Sequence, residues 1–471
     1  MTEVHQLSLT KKLQKTEAGE QAFESSALTP LLPSHRQEHD ESLSPSQPPQ
    51  KGLILFRSLF VLSGLSTASW GRFGVIYYNQ VKHLKPQQIG ILQAVVHSAG
   101  FLSVPIWGYL ADMIQSRKRV YLLCNVMSTL SLLMLPFQFV DTFGKILICI
   151  FINATFRCSA VLDALALDFL GENHRGMYGT IRLYIPLAFG LGASAMGRMT
   201  DEYGFAWNFG CFAFLMTLLV VLTASGLPVR SESEQGTYNR IHSRTAEESQ
   251  ESTGDDNGNG LDLNTLARVL FRLPILFWLF EVAIIGTGLV LADSFIFVFL
   301  QNELQASTTL CGFSVGIQVL FEMPIFYCSA YLLRTLGHDV LFLIAMLAYS
   351  IRVFGFSLLS PEILYLVYVL EALHGVTFAS MWIASIDFSA AVAPKEWSTT
   401  VQSILTLTHT CLGGGLGPIL GGWLMEHYGP RKMFRGAASM LFALSLVHII
   451  VWRVCKRGHD DFLRSKEASK S

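Results

Sequence analysis

Charge is scarce in this chain. Only 15% of its 471 residues are Asp, Glu, Lys or Arg, where a soluble protein carries about 25%, and 51% are hydrophobic, with a mean hydropathy of +0.42. That composition excludes an ordinary soluble domain and implies a polytopic membrane protein. The net charge of −1 and the lack of a basic patch interleaved with aromatics exclude a nucleic-acid partner. The eight cysteines lie in or beside apolar segments without paired or zinc-type spacing, so they read as small core residues, and no metal is expected. No nucleophile motif sits beside a base, which argues against an enzyme. The first 51 residues lack the apolar stretch of a secretory signal and are rich in Ser, Pro, Gln and Glu, as expected for a disordered tail. Leu31-Leu32 lacks the upstream acid of a sorting signal, so the plasma membrane is preferred to an endolysosomal or vacuolar one.

What is abundant is apolar runs of about 20 residues, the length that crosses a bilayer. They fall near 53–79, 87–111, 119–140, 144–170, 179–200 and 206–227, then near 270–300, 307–332, 338–360, 363–392, 399–425 and 433–455. The organisation is a tail over 1–51, a six-span half over 52–227, a polar linker over 228–268, a second six-span half over 269–455 and a tail over 456–471. Both tails and the linker share a side with Arg117, Lys118, Arg119, Arg175, Arg230, Arg240, Arg244, Arg334 and Lys395, which the excess of cytoplasmic Lys and Arg places in the cytoplasm. Arg431, Lys432 and Arg435 dissent on the opposite side. The halves echo each other: Tyr203-Gly204 ends span five as Tyr428-Gly429 ends span eleven, and Tyr109-Leu110 follows span two as Tyr331-Leu332 follows span eight. A duplicated unit of this kind builds a site at the midplane between two rocking halves, so a transporter is the expectation from the residues alone.

Ionisable residues inside the spans mark where it works. Arg157, Asp163, Asp293, Glu322, Arg352, Glu371 and His374 would each cost about 3 kcal/mol facing lipid, so they must be paired, protonated or hydrated around a central path. Glu371 and His374 are one helical turn apart and share a helix face. Glu322 with Arg352 and His374 is the expected proton-switching set, because an arginine favours the ionised carboxylate while burial favours the neutral one. Glu371 gives His374 a charge partner one turn away. Asp163 can reach Arg182 only if spans four and five lie side by side. Arg72, just after Trp70-Gly71, either lines the central cavity or snorkels to the outer interface, the second being the readier expectation.

The segment Gly108-Tyr-Leu-Ala-Asp112 followed by Arg117-Lys118 resembles the loop motif of the major facilitator superfamily, with Met113 where a basic residue is usual and Gln115 where glycine is usual. The likeness extends over twelve spans and resembles the lactose-permease-like group. It implies an all-α integral membrane fold of twelve helices in two six-helix halves, with Gly108, Asp112, Arg117 and Lys118 forming a gating motif. It also implies substrate-binding roles for Asp163 and, in Tyr178-Gly-Thr-Ile-Arg182, for Arg182; Arg157 is a further candidate from the residues alone. Asp293, Glu322, Arg352 and His374 resemble the permease's charge-network, coupling-acid, arginine and histidine positions. Thr377 stands where the permease has its proton-releasing Glu, Glu371 where it has Lys, and Phe189 where its sugar-stacking Trp would be, so galactoside transport does not carry over. The expected function is proton-coupled symport of a small polar solute (a sugar, nucleoside or small organic acid) by a monomer in the lipid bilayer. Transport driven by a proton gradient would need no nucleotide, metal or organic cofactor. The alternatives are a facilitative uniporter and a transporter-fold receptor or scaffold.

Overall fold

The computed structural model describes residues 50–227, 270–393 and 397–468, with side chains placed except at 172–173 and 454–468. The linker 228–268, residues 1–49 of the expected tail, and Arg230, Arg240, Arg244 and Lys395 lie outside the described residues. Every regular element in the described residues is helical, as lipid demands of a backbone that must satisfy its own hydrogen bonds. Among the described residues ten helices are long and apolar enough to cross a membrane. Span three (Arg117–Leu133) and span five (Tyr184–Tyr203) fall outside that set. The first is short and opens on three basic residues, and the second carries Arg198, Asp201 and Glu202 in its last two turns. Together they complete the twelve.

The spans are not uniform rods. Span one breaks between Gln50–Trp70 and Phe73–Gln80, leaving Gly71 and Arg72 at the joint. Span four breaks between Phe143–Thr155 and Ser159–His174, with Arg157 in the interruption. Span eleven runs Ser398–Leu407, widens through a π turn at Thr408–Gly413, and continues as Gly414–Tyr428. Span seven (Leu273–Leu304) is the most enclosed: Phe295, Phe297 and Phe299 are all fully buried although they point in different directions around the helix. Spans six (Phe205–Gly226), eight (Thr308–Tyr327), nine (within Ser329–Phe356) and ten (Leu366–Val392) follow the expected order. The last helix, Pro430–Ala468, runs past the end expected for span twelve.

The duplicated pattern is visible in the backbone. Gln115 in the turn after span two and Gly337 in the turn after span eight both have positive φ, 51° and 74°. Gly204 and Gly429, closing spans five and eleven, repeat this at 76° and 82°. The conformation favours glycine because a side chain crowds the carbonyl there. Gln115 therefore holds with strain the shape for which the superfamily motif uses glycine.

The halves meet mainly where span five packs on span eight and span two on span eleven, at the end away from the linker. A Cβ on Gly197 would sit 2.5 Å from the carbonyl oxygen of Thr308, and one on Gly90 would sit 2.2 Å from that of Pro418. Only glycine permits such an approach. Carboxylates then cap helix starts across the divide. Asp201, at the end of span five, accepts hydrogen bonds from the Thr308 and Thr309 amides at 2.8 and 2.6 Å, and Glu426, at the end of span eleven, accepts from the Gln87 amide at 3.2 Å. Each neutralises free amides at the start of span eight or span two. Gln80 with Gln301 (2.8 Å) and Asn79 with Asn302 (2.9 Å) add side-chain bonds at the same end. Among the described residues every hydrogen bond between the halves lies at this end or near mid-span, so the bundle is closed away from the linker. The basic residues that dissented sit here too: Arg431 donates to Glu303 and to the Ser357 carbonyl, and Arg435 to the Ser357 hydroxyl, so they cap the end of span nine.

Gly197→Val should lower the melting temperature of the detergent-solubilised protein through overpacking of about 1–3 kcal/mol. Gly436→Ala, whose added Cβ meets nothing within 4 Å, should leave it unchanged or raised. Equal behaviour of the two variants would contradict the close packing of spans five and eight.

Candidate functional site

At mid-depth four spans bring charge together and a fifth adds an amide. Arg352 on span nine is fully buried, and one of its terminal nitrogens donates to Asp293 Oδ1 on span seven at 2.9 Å and to Glu371 Oε2 on span ten at 2.8 Å. Asp293 Oδ2 accepts from Arg72 on span one at 2.9 Å, and Arg72 also donates to the Asp293 carbonyl at 3.0 Å. Gln318 on span eight joins the two ends, donating to Glu371 at 2.5 Å and accepting from Arg72 at 3.4 Å. Two arginines face two carboxylates, so the group is neutral as a unit. Arg72 and Asp293 lie 221 residues apart and come from opposite halves. The same 221-residue separation recurs in Gln80 and Gln301, so spans one and seven run side by side in the same direction.

The break in span one explains how Arg72 gets there. Its helix is interrupted at Gly71, where an added Cβ would crowd the Thr67 carbonyl at 2.8 Å. Of the two readings of Arg72, the readier one, snorkelling outward, does not hold: the side chain turns inward and is held by Asp293. Gln318 was missed because an uncharged amide on an apolar helix gives no signal.

Glu322 requires a correction. It was expected beside Arg352, but the arginine's partners are Glu371 and Asp293, while half-buried Glu322 has no hydrogen-bond or ion-pair partner among the described residues. It lies one turn beyond Gln318 on span eight, where span ten passes so closely that a Cβ on Gly375 would be 2.5 Å from the Glu322 amide nitrogen. His374 is buried, with Nδ1 3.6 Å from Asp293 Oδ1. Its ring begins a ladder on span ten, His374 to Phe378 and Phe378 to Trp382, each at 6.1 Å and nearly parallel, with His409 of the π turn set edge-on to Trp382 at 5.4 Å.

The remaining candidates do not join this cluster. Asp163 and Arg182 do pair, at 3.4 Å, so spans four and five lie side by side there, but Arg182 is 57% exposed and the pair sits toward the linker end. Phe189 packs on span one, with a ring carbon 3.5 Å from where a Cβ on Gly71 would be. Arg157 stands at the break in span four, with no ion-pair partner among the described residues. The Trp107 indole donates at 2.5 Å to the Thr155 carbonyl left free by that break.

The motif residues act within the first half. Arg117 bridges Asp112 at 3.3 Å and Asp168 at 2.6 Å, tying the end of span two to the end of span four. Lys118 donates to the Ala224 carbonyl at 2.8 Å and to that of Leu227, neutralising the final turn of span six. Gly108 faces open space, so no close approach accounts for it.

The chain matches the MFS_1 like family over residues 60–436, which is most of its length, and it belongs to that family. It is 25% identical over 366 residues to the maltose permease of Geobacillus stearothermophilus, covering 75% of this chain and 82% of the permease. It is 22% identical over 377 residues to the uncharacterized transporter YwbF of Bacillus subtilis (strain 168), covering 79% and 86%. In fold it is similar to the nucleoside transporter NupG, with a TM-score of 0.71 at 17% identity over 85% of this chain and 98% of that one. A POT family transporter solved with 5-aminolevulinic acid is similar at a TM-score of 0.60 and 14% identity, covering 86% and 96%. The protein is therefore a multi-pass membrane transporter of the major facilitator type, with twelve helices in two six-helix halves.

Two stability outcomes follow from the geometry. Arg352→Met should destabilise by about 3–5 kcal/mol because it strands Glu371 in a dry site, and Arg352→Met with Glu371→Met should recover most of that loss in thermal unfolding. A double variant no more stable than the single one would contradict the pairing. Gln115→Gly should raise the melting temperature by relieving a conformation that costs about 1 kcal/mol or more; a lowered value would show that no strain is held there.

Proposed function

We propose that this transporter carries a small polar solute by proton-coupled symport, with alternating access produced by the two halves rocking against each other, so that the cross-half part of the mid-depth charge cluster forms and breaks. The observation that carries the reading is the Arg72–Asp293 ion pair at 2.9 Å, which joins the halves at the core and belongs to the same network as Arg352, Glu371 and Gln318. Opening the end away from the linker must separate these partners. A proton or a solute that neutralises one of them compensates for the separation, which is how binding comes to favour one state over the other.

Glu322 is the proposed proton carrier. Asp293 and Glu371 are held by arginines, whereas Glu322 can gain or lose a proton without breaking an ion pair, and it lies one turn from Gln318. His374 and Asp293 would pass its charge state to the cross-half pair. The proposed cycle loads the proton and solute from the side away from the linker, rocks the halves, releases both on the linker side and resets empty. The relatives' names, a maltose permease and a nucleoside transporter, support a sugar-like or nucleoside-like solute, and the transporter solved with 5-aminolevulinic acid supports a small organic acid. Asp163, Arg182, Arg157 and Phe189 are proposed to line the solute's route in the first half. Gly108, Asp112, Arg117 and Lys118 would keep the linker end of that half rigid as it moves.

With Arg117, Lys118, Arg175 and Arg334 on the linker side and Arg431 and Arg435 occupied in capping span nine, both termini and the linker are assigned to the cytoplasm. The working unit is proposed to be a monomer in the plasma membrane. The test is uptake into proteoliposomes with an imposed proton gradient, using sugars, nucleosides and small organic acids. The wild type should accumulate at least one solute when the source side is acidic. Glu322→Gln should reduce that accumulation at least tenfold while leaving solute exchange at equal pH measurable. Exchange indifferent to the gradient would replace symport with facilitated diffusion, and no transport of any solute would overturn the reading.

A further inference from the structure

The first half contains a cavity of its own, of about 250 Å³, enclosed by spans one, three, four and six rather than lying between the halves. Gly71 lines it, next to Arg72 of the charge cluster. Its one charged lining residue is Arg157, which is exposed despite its position half-way along a span. An arginine at that depth without a carboxylate is costly, and the nearest acid on its own span, Asp163, is taken by Arg182.

The oxygens around it are acceptors. Ser66 and Thr67 give their hydroxyl protons to the Ser63 carbonyl at 3.0 and 2.9 Å, and the Asn125 amide donates to the Tyr121 carbonyl at 2.7 Å. The Asn153 amide donates to the Ser128 carbonyl and hydroxyl, both at 2.9 Å. With those protons committed, the remaining oxygen lone pairs can accept from a ligand. Ser159, the first residue of the second half of span four, lines the same space, and the helix start there adds free amides to the pull of Arg157.

We propose that this cavity is an anion-selective solute site, and that the solute is a small hydroxycarboxylate. Its carboxylate would pair with Arg157 and its hydroxyls would donate to the oxygens of spans one, three and four. The volume lies below the usual range for drug-sized ligands, which limits the solute to a few carbons. This deepens the transport reading by naming the substrate class, and it rests on that reading only for the claim that the bound acid is carried.

The test is binding to the purified full chain in detergent at neutral pH, using matched pairs of acid and neutral polyol: glycerate against glycerol, and threonate against threitol. At least one acid should bind saturably, at least tenfold more tightly than its neutral partner. Arg157→Gln should abolish that preference, and Arg157→Lys should keep part of it. Both variants must elute as the wild type does on gel filtration; if Arg157→Gln does not, the acid-over-polyol preference of Arg157→Lys decides, and an undiminished preference overturns the assignment. Acids and polyols binding equally, or a preference that survives Arg157→Gln, would overturn the proposal. Inorganic phosphate binding as tightly as the acids, with the same dependence on Arg157, would overturn the role given to the hydroxyls. Saturable acid binding without gradient-driven uptake would leave this site standing and overturn symport instead.

Discussion

A guanidinium with no exposed surface must be neutralised where it stands, and Arg352 imposes that condition on the middle of the bundle. It draws a carboxylate from span seven and another from span ten, and through Asp293 it reaches an arginine on span one. Gln318 joins span eight to the same network. Four of these spans belong to the second half and one to the first. The same interactions that make the second half rigid therefore contain the contact that couples it to its counterpart.

That coupling has a symmetric frame. Asp201 caps the start of span eight as Glu426 caps the start of span two, so each half ends a span on the other's free amides. Glycine at 197 and 90 lets the backbones meet closely enough for these bonds to form. The frame closes only the end away from the linker. At the other end Arg117 with Asp168 and Lys118 with the last turn of span six are polar contacts within one half. A molecule held this way can rock about its centre without unfolding either half, since the bonds that must break are few and lie on one side.

Much of the architecture was legible in the residues. Apolar run lengths marked the spans, and the repeated Tyr-Gly and Tyr-Leu steps marked the duplication. Gln115 stood out only as a departure from the motif's glycine, and the left-handed turn it adopts, at φ 51°, was not foreseen. Pairing within the cluster was less legible. Glu322, Glu371 and Asp293 all lie on spans that can face Arg352, and only the relative rotation and depth of the helices decides which carboxylates reach it. The breaks in spans one and four were hidden for a related reason. Hydropathy averages over about 20 residues, whereas each break involves three or fewer and is stabilised by contacts distant in sequence, such as Trp107 with Thr155. Arg72 seemed a terminal residue able to reach water until the interruption at Gly71 turned it inward.

The central claim is that the Arg72–Asp293 pair holds the end away from the linker closed. It is tested most directly by the distance between spin labels at Tyr203→Cys and Tyr428→Cys, exposed positions ending spans five and eleven, in a background without other reactive cysteines. At neutral pH the otherwise wild-type protein should give one predominant short distance, and Asp293→Asn should add a population at longer distance. An identical distribution in the two proteins would contradict the claim.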